Sequence, residues 1–117
     1  MGAGFVYIWM YHVREGCELD FETLYGPDGG WAQLFRKSAQ YLGTDLLRDR
    51  SKKRRYVTVD HWSSETSHRE FVSEHGDEFA ELDRKGEQLT TKETRLGDFD
   101  VVRSSSGVNK PASDQLE

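Results

Sequence analysis

The chain has 117 residues, 35 % of them hydrophobic, and its 16 Lys and Arg against 21 Asp and Glu leave a net charge of −5. That length suits one domain with a real core, and the acidic balance gives no general attraction to nucleic acid or to an anionic membrane. The single cysteine, Cys17, excludes an intramolecular disulfide and any multi-cysteine metal site, and no apolar run approaches the ~20 residues that span a bilayer.

The aromatic residues are many for the length: six Phe, five Tyr and three Trp. Large rings bury much area each, so few residues can fill a core or line a pocket. Residues 5–11 are apolar, but no basic segment precedes them and no small-residue cleavage site follows. No secretion signal is expected, and the cytoplasm is the default location.

Phe5–Val13 (FVYIWMYHV) reads as the first strand, with no Pro or Gly inside it. Phe5, Tyr7, Trp9, Tyr11 and Val13 share one face, and Val6, Ile8, Met10 and His12 the other. Both faces are apolar, so both need a cover. Cys17–Tyr25 has Leu19, Phe21, Leu24 and Tyr25 near the helical period. Gly26–Gly30 (GPDGG) breaks that helix, and Trp31, Leu34 and Phe35 restart it at i, i+3, i+4. The GPDGG bend lacks the Lys-Ser/Thr pair of a phosphate loop.

Tyr41–Arg48 and Arg54–Trp62 read as two strands joined by the polar turn 49–53, a hairpin. The basic cluster at its tip, Arg48, Arg50 and residues 52–55, is read as a solvated end that discourages edge pairing. Ser63 and Ser64 follow as helix caps, then a helical stretch Glu65–Leu89 with a break at Gly76. Thr90–Val102 is the last strand, with Gly97 as a bulge. The order β-α-β-β-α-β predicts a ferredoxin-like α+β fold with a four-stranded antiparallel sheet over residues 1–103. Residues 104–117, poor in apolar side chains, are expected to form a disordered tail. Helices can cover one face of such a sheet, so the apolar second face predicts a homodimer, sheet against sheet.

With FVYIWMYHV and the Arg-Glu-Gly after it, FETLYGPDGGWAQLF, YLGTDLL, YVTVDHW with Ser-Ser-Glu after it, and EFAELDRKGEQLTTKETRLGDF, the chain resembles the antibiotic biosynthesis monooxygenase family of dimeric α+β barrels. The resemblance covers roughly Phe5–Phe99. It implies a pocket between sheet and helices in each subunit, and oxidation of electron-rich aromatic or polyketide-like compounds by O₂ without metal or flavin. Such a site must hold a flat aromatic, exclude water and help remove a phenolic proton. His61, His68 and Tyr11 are the catalytic candidates. Tyr7, Trp9, Trp31, Phe35 and Phe71 are the substrate-binding candidates. The alternative is a non-catalytic homodimeric module of the same fold that binds a small ligand or serves a structural role, favoured by an aromatic pocket with no ionisable group facing in.

His61 and Trp62 lie on opposite strand faces, so at most one faces a given cavity. His68 and His75 share a helical face, but two histidines without a third ligand are not a zinc signature. The heme-degrading branch of the family places an Asn on the first strand, a Trp on the second helix and a ligating His further along. Here those positions fall on Trp9, Phe71 and near Glu81 or Leu82. The resemblance therefore points away from heme, and no cofactor is expected.

Overall fold

A computed structural model describes residues 4–105. The elements run β1 (Phe5–Val13), α1 (Glu18–Tyr25), α2 (Gly30–Phe35), β2 (Tyr41–Arg48), β3 (Arg55–Trp62), α3 (Glu65–Glu74), α4 (Gly76–Glu87) and β4 (Thr90–Asp100). The strands form one antiparallel sheet in the order β2-β3-β1-β4. This is the expected ferredoxin-like arrangement, with β1 and β3 central and β2 and β4 at the edges. The expected tail at 104–117 lies largely outside the described residues.

Register assigns the faces. Opposite Phe5, Tyr7, Trp9 and Tyr11 of β1 stand Trp62, Asp60, Thr58 and Tyr56 of β3. Directly opposed residues point the same way, so the even positions of β3 face the helices. Thr44 of β2 joins that face opposite Asp60, as do Asp98, Arg95, Glu93 and Thr90 of β4. The odd positions of β3, His61 included, stand opposite Val6, Ile8, Met10 and His12 on the outer face.

All four helices pack on the inner face, over two separate aromatic clusters. One gathers Phe5, Tyr7, Leu34, Phe35, Trp62 and Phe71. The other gathers Tyr11, Val13, Phe21, Tyr25 and Tyr56. Trp9 and Trp31 pack against both. Trp62 is fully buried and meets Phe35, Tyr41 and Phe71 at ring-centroid distances of 5.4 to 5.5 Å. It anchors the corner where β3 turns into α3.

Local chemistry sets the details. Arg54 takes a left-handed φ of 61° as the last residue of the hairpin turn, so β3 begins at Arg55, one residue later than the sequence suggests. Ser64 caps α3, its hydroxyl accepting the Ser67 amide at 3.1 Å. The long helix expected over Glu65–Leu89 is broken at His75, whose backbone leaves the helical region (φ −118°, ψ 35°). In the α1–α2 bend, Gly29 brings its Cα so close to α1 that a Cβ would lie 2.0 Å from the Thr23 carbonyl oxygen. In β4 the pairing slips between Ile8 and Trp9, and Gly97 sits there with φ 150°. That is the expected bulge. Among the described residues no helix is long and apolar enough to cross a membrane.

Candidate functional site

A cavity of about 300 Å³ opens between the sheet and the helices, at the seam of the two aromatic clusters. Its volume is at the lower end for small-molecule sites. Tyr7, Trp9 and Tyr11 form its floor along β1; Tyr25, Trp31 and Phe35 of α1 and α2 close one side, and His68, Val72 and Phe79 the other. Thr44, Thr58 and Asp60 enter from β2 and β3. Asp83 of α4, with Glu93 and Arg95 of β4, completes the lining.

Asp60 is the chief polar feature. It is only 7 % exposed, and burial in this aromatic surround pushes its carboxyl up to about 6, although a hydrogen bond from Thr44 opposes the rise. Thr44 Oγ1 donates to Asp60 Oδ1 at 2.6 Å. A threonine hydroxyl has one proton, so the Tyr41 hydroxyl, 2.5 Å from Thr44 Oγ1, is the donor in that pair. A short chain thus runs from half-buried Tyr41 through Thr44 to Asp60. Among the described residues nothing donates to Asp60 Oδ2.

Tyr7 stands beside Asp60 across the sheet. Burial first, and the Asp60 carboxylate second, hold its phenol well above the ordinary tyrosine range. It therefore stays a protonated donor, and its hydroxyl meets no hydrogen-bond partner among the described residues. Tyr11 is also raised by burial, and it accepts from the Thr58 hydroxyl at 3.4 Å. The His68 ring lies over Tyr7, centroids 4.3 Å apart, and against Trp62 at 5.1 Å. Burial lowers its pKa, and its Nε2 is buried without a partner.

The far end of the cavity is acidic. Burial raises the carboxyl of Glu93, and nearby Asp83 and Glu87 add to the rise; Thr90 Oγ1 donates to Glu93 at 3.1 Å and offsets part of it. Burial and Glu87 raise Asp83 likewise. Arg95 is ion-paired with Asp98. Tyr25 is seated there by Gly86, whose Cα lies so near that a Cβ would fall 2.0 Å from the Tyr25 hydroxyl.

The cavity brings together Tyr7, Trp9, Tyr11, Trp31, Phe35 and His68 from the sequence candidates. Two candidates need correction. His61 faces the opposite side of the sheet, where its Nε2 meets Asp45 at 3.1 Å, because Trp62 takes the inward position and neighbouring strand residues alternate. Phe71 is buried in the core against Trp62 and Phe35, while its neighbour Val72 lines the cavity. Sequence reasoning missed Asp60, although it shares a strand face with Trp62. Thr44, Asp83, Glu93 and Arg95 reach the site through long-range pairing and packing, which no local pattern signals. Of the basic hairpin cluster, Arg48 pairs with Glu22 and Arg55 with Asp49.

No protein-family model matches the chain, and no curated protein does. Solved structures do resemble it. SnoaB, a cofactor-independent oxygenase from Streptomyces nogalater, superposes with a TM-score of 0.69 at 20 % identity, over 90 % of this chain and 99 % of SnoaB. A candidate antibiotic biosynthesis monooxygenase from Bordetella bronchiseptica gives 0.67 at 22 %, over 88 % and 100 %. MhuD, crystallised with two manganese protoporphyrin IX molecules per active site, gives 0.64 at 24 %, over 88 % and 99 %. The chain therefore has the antibiotic biosynthesis monooxygenase fold.

Proposed function

We propose that this protein is a cofactor-independent monooxygenase acting on a small phenolic aromatic of polyketide-like type. The observation that carries the reading is Asp60, a buried carboxylate with one oxygen held by Thr44 and the other unengaged, in an aromatic-walled cavity. A purely ligand-holding module has no need of a buried ionisable group, which lowers stability. The fold shared with a cofactor-independent oxygenase supports the same reading.

Trp9, Trp31 and Phe35 sandwich the flat substrate and keep water out. Asp60 removes the hydroxyl proton of the substrate's phenolic tautomer, in which the carbon to be oxidised has already passed one of its two methylene hydrogens to the ketone oxygen. A carboxyl near pH 6 is well matched to that task, since it is ionised at neutral pH yet basic for its kind. The Tyr7 hydroxyl, kept protonated, donates to the developing oxyanion. The substrate anion passes one electron to O₂, and the resulting radical pair combines to form a C–O bond. The peroxide takes the proton back, then loses water as the carbon gives up its remaining hydrogen. A methylene becomes a carbonyl, and O₂ is reduced to one oxygen in product and one in water.

Oxygen uptake with hydroxylated anthrones tests this. Wild-type protein should consume one O₂ per quinone formed. Asp60→Asn should lose about 100-fold or more in rate, the usual scale of a lost general base, and His61→Ala should be little changed. No uptake across a broad phenolic panel, or full activity in Asp60→Asn, overturns the proposal.

A further inference from the structure

Resting on that reading of the cavity, we infer that the site selects aromatics that arrive neutral or cationic, with donor groups, and turns away those carrying a carboxylate or other anion. The charged side chains of the lining are Asp60, Asp83, Glu93 and Arg95. Three are acids from three different elements, and the lone cation is already paired with Asp98, which stands opposite Tyr7 on the inner face. His68, the histidine of the lining, offers no compensating charge, because burial favours its neutral form. Glu87 lies close enough to act on both Asp83 and Glu93.

A second observation shows that the space calls for a ligand. Tyr7 is 9 % exposed, lines the cavity, and its hydroxyl meets no hydrogen-bond partner among the described residues. Beside it, Asp60 Oδ2 offers an acceptor. A phenol or amine can donate to that carboxylate while accepting from Tyr7. A bound anion instead meets carboxylates at short range in a poorly screened space, where repulsion is several times its value in water. Proton transfer from a neutral phenol to Asp60 leaves the total charge unchanged, so the proposed chemistry does not conflict with this selection.

Quenching of the cavity tryptophans, Trp9 and Trp31, reads binding without any turnover. Three probes on one tricyclic frame suffice at neutral pH: 9-aminoacridine as cation, 9-anthracenemethanol as neutral, and anthracene-9-carboxylate as anion. The cation and the neutral probe should bind about tenfold or more tighter than the carboxylate, a difference of about 1.4 kcal/mol. The gap should shrink as salt is raised, and in Glu93→Gln and Asp83→Asn variants. A carboxylate probe that binds as tightly as the others overturns the inference, as does a gap indifferent to both salt and those variants. Failure of all three to bind removes it together with the aromatic-site reading. Absence of oxygen uptake with the expected binding order removes only the oxygenase reading.

Discussion

At the scale of single residues, the base role proposed for Asp60 sets activity against stability. Its carboxyl titrates near 6 in the folded chain, against 3.8 unperturbed. The folded state therefore binds this proton more tightly than the unfolded state. Stability from this group is highest at acid pH and falls as pH rises through about 6. Above that, burying the charge costs about 3 kcal/mol, at about 1.4 kcal/mol per pKa unit. Asp60→Asn keeps an acceptor for Thr44 and removes the charge. Urea unfolding at pH 8 should show it more stable than wild type by on the order of 2–3 kcal/mol, with the difference gone near pH 4. The rate profile of wild type should rise with pH through about 6, the limb that the variant loses.

Gly86 offers a second residue-level test. Tyr25 stacks on Phe21 at 4.3 Å and meets Tyr11 at 4.8 Å, so its ring has no room to retreat. Gly86→Ala should cost about 1–3 kcal/mol by overpacking. Tyr25→Phe removes the atom that is struck and should restore most of that loss in the double variant, measured by thermal melting. At this scale the sequence was partly readable. Tyr7, Trp9 and Tyr11 follow from strand alternation and the need to satisfy phenols on a buried face. Asp60 was readable too, once Trp62 is recognised as the anchor, since residues two apart share a face. His61 is a candidate by its chemistry alone, and chemistry does not decide which face a strand residue takes. Nothing in the neighbourhood of residue 86 signals a ring from residue 25.

At the scale of elements, the Ser64 cap does more than start a helix. His68 sits one turn into α3, and its amide bonds to the Ser64 carbonyl at 3.3 Å. Ser64→Ala should cost about 1 kcal/mol, and fraying there should loosen His68 over Tyr7. A lowered melting temperature together with weaker probe quenching would show both. The α1–α2 bend is stricter, because the Gly29 clash is with backbone oxygens of Thr23 and Leu24. The strands and helices were legible through period and capping residues. The break at His75 was legible only through the glycine beside it, and the slip in β4 only through Gly97. Register between β1 and its neighbours, which decides what meets in the cavity, is a long-range property.

At the scale of the whole molecule, the outer sheet face carries a prediction about assembly. Val6, Ile8 and Met10 of β1 share it with Val57 and Val59 of β3, and it carries exposed Leu47 of β2 and Phe99 of β4. We expect a second copy of the chain to cover this face. Light scattering at micromolar concentration should give twice the chain mass, and Val59→Lys should halve it. A monomeric wild type would overturn the expectation.

The cavity lies where two aromatic clusters fail to meet, bridged among the described residues by Trp9 and Trp31. An occupant of that gap becomes interior material, a removable piece of hydrophobic core. The empty protein should then breathe along this seam, with the Phe21–Tyr25 cluster under α1 and the Phe35–Trp62–Phe71 cluster under α2 and α3 opening as two units of unequal protection. A filled one should melt as a single cooperative body, at a temperature that climbs with ligand concentration by mass action. The same gap would make substrate a folding partner as well as a reactant.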